Sequence, residues 1–235
     1  MKLQATAIIC AFNEEKTITN ILKDICELHL FNEVIVINDG SEDNTRKRIK
    51  ELKKTIDIKD VHLLTNRGKG FAMAKGAEIA SNEYLVFIDA DLSNFTLTHA
   101  RELLNPVLTG EADMVLGQPT KTLIHPEINP FRNLSGQRAL KKEDILPIIE
   151  RMKTTGYGVE TLINMQYRAA NKVIRYVCLK NLVHPSKFQK TKPHKAIKEF
   201  AQEAYQIMAT TFSNYSLIKK ANRKRASTNI LNIYN

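Results

Sequence analysis

The sequence Tyr84-Leu-Val-Phe-Ile-Asp-Ala-Asp-Leu92 is the stretch around which the expected fold is built. Its first five residues favour a strand, and they run directly into two carboxylates, Asp89 and Asp91. The i, i+2 spacing places both acids on one face of an extended segment. Neighbouring acids repel each other unless a cation lies between them, and hard oxygen ligands suit Mg²⁺ or Mn²⁺. The stretch therefore predicts a strand that ends at a divalent-metal site, with solvated acids at a strand end as the alternative.

Strands and helices alternate along the first half of the chain. Apolar runs of strand length end in polar or glycine-containing segments, and a helical pattern follows each of them. The expected strands are 5–10, 34–37, 61–64 and 84–89, and the expected helices are 18–28, 43–54 and 71–80. Asn13 is the expected N-cap of the first helix. The alternation predicts an α/β fold, in which helices flank a doubly wound, mainly parallel sheet and ligands bind at the carboxyl ends of its strands.

The second half of the chain is less regular. Helices are expected at 97–108, 146–152, 159–168 and 196–208, strands at 114–116 and 173–179, and a proline-rich loop at 119–133. There is no internal repeat and no linker composition. We therefore expect one domain over residues 1–215, followed by a basic tail at residues 216–235.

The positive charge of the chain is concentrated near its end. The formal net charge is +10, yet residues 1–170 carry 22 basic and 23 acidic side chains, whereas residues 171–235 carry 13 and 2. A basic tail suits nucleic acid, an anionic membrane surface or a phosphorylated substrate, and composition does not choose among them. Binding of nucleic acid is disfavoured because aromatic platforms are not interleaved with the basic residues.

Cysteine usage and hydropathy indicate a compartment. Cys10, Cys26 and Cys178 are odd in number, widely spaced and set in apolar surroundings, which predicts reduced core thiols. No apolar run approaches the roughly 20 residues that a transmembrane helix needs, and the first residues do not resemble a signal peptide. We expect a cytoplasmic protein, with peripheral contact to the inner face of the cell membrane if the basic tail binds lipid.

Asn38-Asp39-Gly40 follows the second expected strand. This tripeptide is typical of a hairpin turn, but the polar helix start after Gly40 argues against a second strand there. Asp39 is therefore expected at a strand end beside a glycine, where it is well placed to accept hydrogen bonds from a base or a ribose.

Gly68-Lys69-Gly70 opens the helix after the third expected strand. A dinucleotide-binding loop would need a third glycine where Met73 stands, and a Walker A loop would need Ser or Thr after the lysine. A nicotinamide-dependent oxidoreductase is therefore disfavoured. What remains is a cationic loop able to bring Lys69 and backbone amides to a diphosphate.

Taken together, Ala11-Phe-Asn-Glu14, Val36-Ile-Asn-Asp-Gly-Ser41, Asn66-Arg-Gly-Lys-Gly70 and Asp89-Ala-Asp91 resemble the nucleotide-sugar half of glycosyltransferase family 2. The resemblance implies a Rossmann-like GT-A fold, with residues 1–93 binding the donor and residues 94–215 the acceptor. It implies that the strand-end residues hold a uridine or guanosine nucleotide: Ala11, Phe12, Asn13, Glu14, Asp39, Gly40, Ser41, Asp89 and Ala90. Lys69 would reach the diphosphate, and Asp91 would hold Mg²⁺ or Mn²⁺ and take part in catalysis.

Two segments of the second half resemble glucosyl-3-phosphoglycerate synthases of this family. They are Asn133-Leu-Ser-Gly-Gln-Arg-Ala139 and Gly156-Tyr-Gly-Val-Glu160, and the first is also similar to polyprenyl-phosphate sugar synthases. The resemblance implies that Glu160 lies near the transferred sugar as a catalytic residue and that His184 is a metal ligand. An acid favouring a helix N-terminus and a loop histidine are the alternatives. The implied acceptor-binding residues are Thr120, Lys121, Ser135, Gly136, Gln137 and Arg138.

These implications define the expected reaction. They point to a metal-dependent hexosyltransferase that moves a hexose, most simply glucose from UDP-glucose, onto a phosphorylated acceptor such as 3-phosphoglycerate. The alternative acceptor is a polyprenyl phosphate or another lipid at a membrane surface, and a nucleic-acid-binding protein is the remote alternative. The identity of the sugar, the stereochemical outcome and the oligomeric state, including a homodimer, are left open.

Overall fold

Seven strands form one sheet within the part of the chain that the structure describes. The structure is a computed structural model, and it describes residues 3–119, 136–183, 204–217 and 219. The strands are β1 (Leu3–Ala11), β2 (Phe31–Asn38), β3 (Lys59–His62), β4 (Tyr84–Asp89), β5 (Met114–Pro119), β6 (Arg138–Lys141) and β7 (Ile174–Leu179), in the order β3-β2-β1-β4-β6-β5-β7. Strand β6 is antiparallel to β4 and β5, and the other pairs are parallel. The mainly parallel sheet predicted from the alternation is confirmed.

Helices cover both faces of this sheet. They are α1 (Ile18–Glu27), α2 (Thr45–Leu52), α3 (Lys69–Ile79), α4 (Leu97–Leu108), α5 (Lys142–Ile145), α6 (Ile149–Met152) and α7 (Val159–Ala169). Short 3₁₀ turns lie at Leu146–Ile148 and Gly156–Gly158. A further stretch, called the helical segment 204–217, is helical except for a turn at Asn214.

The alternation of side chains along the strands builds two separate cores. Neighbouring residues of a strand point to opposite faces, so Ile9 and Val36 enter one core while Ile8 and Ile35 enter the other. Helices α1, α2 and α4 pack on the first core, and α3, α6 and α7 pack on the second. This two-sided burial explains why the central strands read as continuous apolar runs.

Several element boundaries differ from the sequence-based expectations for local reasons. Asn13 is not the N-cap of the first helix: its φ is +56°, and α1 begins at Ile18 after Thr17. The expected helix 146–152 is divided into the 3₁₀ turn Leu146–Ile148 and α6, and α5 precedes it; Pro147 lies in the 3₁₀ turn, where it has no N–H to donate. Strand β6, which begins at Arg138, was not predicted, because a strand of four residues is too short to show a period in the sequence.

The cysteine prediction is partly wrong. All three cysteines are free thiols, and Cys10 and Cys26 are half-buried. Cys178 is exposed, because β7 is the last strand of the sheet and its residues pack on fewer neighbours. Within the described ranges, no helix is both long and apolar enough to cross a bilayer.

Candidate active site

The carboxyl ends of β1, β2 and β4 lie side by side. In the parallel register, Ala11 pairs with Asn38 and Cys10 pairs with Asp89. The segments that follow these strands therefore meet at one edge of the sheet, which is where open α/β sheets bind their ligands. The prediction that the first, second and fourth strand ends lie together is in agreement with this register.

Lys69 joins two carboxylates that are distant in sequence. Its Nζ donates to Oδ1 of Asp89 at 3.0 Å and to Oε1 of Glu160 at 2.7 Å. The Glu160 side chain is 7% exposed and the Lys69 side chain 23%. Burial by itself lowers the pKa of Lys69, but the charges and hydrogen bonds of Asp89 and Glu160 outweigh it and raise this pKa well above its ordinary value. The ammonium therefore stays charged and holds the end of β4 against the start of α7.

The second oxygen of Asp89 is also engaged. Its Oδ2 accepts a hydrogen bond from Nε2 of Gln137 at 2.6 Å, and Gln137 is buried. Gly136 packs so tightly here that a Cβ on it would overlap the Asp89 carboxylate. Two residues that the resemblance assigns to the acceptor, Gly136 and Gln137, thus contact a residue assigned to the donor.

Arg138 lies underneath this cluster and is fully buried. It is the first residue of β6, paired with Phe87 and Leu116, and its Nη1 is 3.5 Å from the backbone oxygen of Glu160. Burial lowers the pKa of Arg138, and the charges of Glu160 and Asp89 oppose that shift. Arg138 is fully buried beside the carboxylates of Glu160 and Asp89. An acceptor-binding role for it stays a prediction.

Asp39 holds the loop that leads into α3. Its Oδ1 accepts the amide N–H of Arg67 and its Oδ2 that of Gly68, both at 2.8 Å. Burial raises the pKa of Asp39, while the two amide hydrogen bonds act against this rise. Gly40 has a φ of +70°, and a Cβ on it would overlap the backbone of Thr65 and Asn66. Asp39 thus engages the amides of Arg67 and Gly68, and binding of a diphosphate by the loop stays a prediction.

The segment after β1 is tied to the segment after β2. The amide of Asn13 donates to Oγ of Ser41 at 2.9 Å, and Oδ1 of Asn13 accepts the amide of Glu42 at 2.9 Å. The amide of Glu14 donates to Oγ1 of Thr45 at 2.8 Å. The Phe12 ring, by contrast, is 40% exposed beside this loop. Hydrogen bonds between backbone amides and side chains therefore join the two predicted nucleotide-binding segments, and a partly exposed aromatic ring lies beside them.

Divalent-metal binding has oxygen donors at this edge of the sheet. Ala90 is buried in the first core, and it separates Asp89 from Asp91. In the described ranges, no three His, Cys, Asp or Glu side chains are grouped closely enough to hold a metal on their own. Mg²⁺ is usually held by one or two carboxylates together with substrate phosphates, and Asp91 fits that pattern, with Asp89 beside it already hydrogen-bonded to Lys69 and Gln137. His184, Thr120, Lys121 and Ser135 lie outside the described residues.

Sequence reasoning missed two groups of residues near the site. The Gly156–Gly158 turn contacts Gln206 and Thr210 of the helical segment 204–217, and His62 contacts Asn38 next to Asp39. His62 ends β3 and is in the register opposite Asn38, so a strand-end alignment could have found it. Gln206 and Thr210 carry no signal in the sequence, since their neighbours in space are about fifty residues away along the chain.

Relatives with curated names cover part of the chain. It is 42% identical over 85 residues to a poly-β-1,6-N-acetyl-D-glucosamine synthase of Staphylococcus epidermidis, an alignment covering 36% of this chain and 21% of that protein. It is 39% identical over 159 residues to the protein of the same name from Staphylococcus aureus, covering 67% of this chain and 37% of that protein. An uncharacterized protein of Methanocaldococcus jannaschii is 37% identical over 118 residues, covering 47% and 50%. The chain thus spans between about a fifth and a half of the length of these relatives.

Solved structures of one enzyme share the fold. Glucosyl-3-phosphoglycerate synthase from Mycobacterium tuberculosis, in complex with Mn²⁺, UDP-glucose and glycerol 3-phosphate, superposes with a TM-score of 0.70 at 24% identity, covering 89% of this chain and 79% of that one. The same enzyme with Mn²⁺, UDP and glucosyl-3-phosphoglycerate gives a TM-score of 0.68 at 25% identity, covering 89% and 78%. This likeness shows the GT-A fold. The sequence model described as "Glycosyl transferase family 2" matches residues 6–196, and the chain belongs to that family.

Proposed function

We propose that this protein transfers a hexose, most simply glucose from UDP-glucose, to a phosphorylated acceptor such as 3-phosphoglycerate. The observation that carries the proposal is the ion cluster in which Lys69 contacts Asp89 and Glu160 at 3.0 and 2.7 Å. It brings a cation from the cationic loop and two carboxylates to the edge of the sheet where the strand-end segments meet. A cation and carboxylates can stabilise the charges that develop when a sugar-diphosphate bond breaks.

The leaving group explains the cation. Cleavage leaves negative charge on the nucleoside diphosphate, and preorganised positive charge stabilises that charge as it develops. Lys69 has an ammonium that two carboxylates, Asp89 and Glu160, keep protonated against the effect of burial. We propose that the donor's diphosphate binds beside this ammonium, with Asp91 and Asp89 supplying carboxylates for Mg²⁺ or Mn²⁺. A bound ion of this kind acts as a Lewis acid on phosphoryl oxygens.

The transferred sugar explains the buried acid. Its anomeric carbon gains positive charge in the transition state, and a nearby carboxylate stabilises it. Glu160 is buried, points to Lys69 and stands at the start of α7. We propose that Glu160 faces the sugar and that Phe12, Asn13 and Ser41, with Asp39 beneath them, form the nucleotide side of the site.

Two kinds of acceptor are candidates. The neighbouring enzyme's structures contain phosphoglyceric acid, which supports a small phosphorylated acid as the acceptor. A lipid phosphate is the second candidate, and one observation favours it. The helical segment 204–217 exposes Tyr205, Met208, Phe212 and Tyr215 on one side, and the sequence continues into the basic tail. Such a surface suits an anionic membrane.

Release of free nucleoside diphosphate tests the proposed reaction. Sugar nucleotides and acceptors are combined in a matrix with Mg²⁺, Mn²⁺ or a chelator, and UDP-glucose with 3-phosphoglycerate is expected to give turnover that the chelator abolishes. Glu160→Gln and Lys69→Met are expected to lose most of it, since each removes one charge of the ion cluster. Lys75→Met on the same helix serves as the matched control. Absence of turnover with every sugar nucleotide, in the presence of metal, would contradict the proposal.

A further inference from the structure

The helical segment 204–217 packs against the turn that precedes Glu160. Oε1 of Gln206 accepts the backbone N–H of Tyr157 at 2.8 Å. A Cβ on Gly156 would overlap Gln206, and a Cβ on Gly158 would overlap Thr210. Thr210 and Asn214 are buried polar residues, and Leu217 packs against the second core.

The opposite side of the same turn packs against the start of α3. A Cβ on Gly70 would overlap the backbone oxygen of Met152 and would lie 2.8 Å from Oγ1 of Thr155. A Cβ on Gly68 would lie 3.4 Å from Cα of Gly156. Gly68 and Gly70 flank Lys69 directly. The turn is therefore held between the two glycines that flank Lys69 and the helical segment 204–217.

We infer that Gln206 and Thr210 are positioning residues that set the contact between Lys69 and Glu160. This inference rests on the proposed function, in which Lys69 and Glu160 contact the donor. Gly156 has a φ of +53°, and Gly158 is the N-cap of α7, so a shift of this turn moves the first residues of that helix. Glu160 is the second residue of α7. Because Lys69 approaches from the other side of the same turn, one displacement changes both ends of the Lys69–Glu160 contact.

The contact with Gln206 is directional. Tyr157 lies in the 3₁₀ turn before α7, where the first N–H groups have no partner within the helix, and the side-chain oxygen of Gln206 accepts its hydrogen bond. Apolar packing alone would tolerate small rotations of the turn, whereas a hydrogen bond fixes its orientation. The outward side of the segment has no such role in the described structure, since Phe212 is 78% exposed and Tyr205 is 69% exposed.

Three variants separate positioning from general stability. Gln206→Met keeps the length of the side chain but lacks the acceptor oxygen, Gln206→Glu keeps that oxygen, and Ser213→Ala changes an exposed position of the same segment. For Gln206→Met we expect kcat to fall at least about tenfold, because displacements of about 1 Å at an active site can cost about a hundredfold. The KM for the sugar nucleotide is expected to stay within about twofold, since the proposed nucleotide-binding residues Phe12, Asn13 and Ser41 lie on other segments. Gln206→Glu and Ser213→Ala are expected to resemble the unmodified protein.

Amide hydrogen exchange supplies a readout that does not depend on turnover. Peptides covering residues 156–160 are expected to exchange faster in Gln206→Met and at the original rate in the two other variants. Unchanged exchange in Gln206→Met overturns the inference, and so does faster exchange with an unchanged kcat. A loss of kcat in Ser213→Ala equal to that in Gln206→Met also overturns it, because the effect would then be general destabilisation. If the unmodified protein turns over no sugar nucleotide, the proposed function fails, while exchange at residues 156–160 still decides whether Gln206 holds the turn.

Discussion

Lys69 connects the two halves of the chain. Its ammonium contacts Asp89 in the first half and Glu160 in the second, 91 positions away. Both carboxylates are largely buried, with side-chain exposures of 19% and 7%. A carboxylate that loses its partner in such a place is costly, because burial then disfavours its charge without compensation.

Lys69→Met is therefore expected to destabilise the protein. The free energy of unfolding should fall by about 2 kcal/mol, below the roughly 3 to 5 kcal/mol of a fully buried pair, since Lys69 is still 23% exposed. Urea unfolding at neutral pH measures this. The double variant Lys69→Met with Glu160→Gln should recover part of the loss, because the isolated charge is removed. Additive effects of the two substitutions would contradict a direct interaction.

His62 adds a pH-dependent contact beside the site. Its Nδ1 accepts from Nδ2 of Asn38 at 3.2 Å, and its Nε2 donates to Oδ2 of Asp60 at 2.8 Å, which requires the neutral ring. Burial lowers the pKa of His62; Asp60 opposes this, and the charges of Arg46 and Lys50 add to it.

The sign of the resulting pH dependence follows from linkage. The folded pKa of His62 lies below the unfolded value, so the unfolded chain binds the proton more readily. The contribution to stability is complete above the unfolded pKa and is lost as pH falls through the folded one. We expect the free energy of unfolding to decrease between about pH 7 and about pH 5, and His62→Asn to show a smaller decrease. Equal decreases in urea unfolding would show that other groups cause it.

At the scale of elements, the close approach of β6 to β4 shapes the site. The loop before β6 brings Gly136 and Gln137 onto the Asp89 carboxylate at the end of β4. This approach depends on the antiparallel insertion of β6 between β4 and β5, which the sequence pattern did not predict.

Gly136→Ala tests that approach. The added methyl group would overlap Asp89, so we expect the affinity for the sugar nucleotide to fall at least about tenfold, a change of about 1.4 kcal/mol in calorimetry. Gly110→Ala is the matched control, because its φ is +75° and no atom lies within 4 Å of an added Cβ. It should lower the free energy of unfolding by about 1 kcal/mol and leave the affinity unchanged. An unchanged affinity in Gly136→Ala would show that the loop can move away from Asp89.

At the scale of the whole molecule, the extent of the helical segment 204–217 matters for the acceptor question. A tail beginning at residue 216 was expected from the charge distribution, but Leu217 packs against the second core. A shortened chain that tests the tail should therefore keep residues up to 219.

A chain ending at Lys219 is expected to keep its unfolding midpoint within about 2 °C, because it retains the packed helical segment. If the acceptor is a small phosphorylated acid, the shortened chain should also keep the turnover of the full chain. If the acceptor is a lipid phosphate, the full chain should sediment with vesicles containing anionic lipid and the shortened chain should not. Sedimentation of neither protein would argue against the lipid acceptor.

The sequence by itself determined the sheet type, the positions of the first four strands along the chain and the polar segments that follow them. These features follow from hydrophobic periodicity and from short motifs, both of which are local properties of the chain. Only the tertiary structure decided that Lys69 contacts Glu160, that Asp39 holds the loop amides, that β6 enters the sheet and that Gln206 reaches Tyr157. Such contacts join residues tens of positions apart, and they depend on strand register and on glycines that permit close packing, for which no local pattern exists.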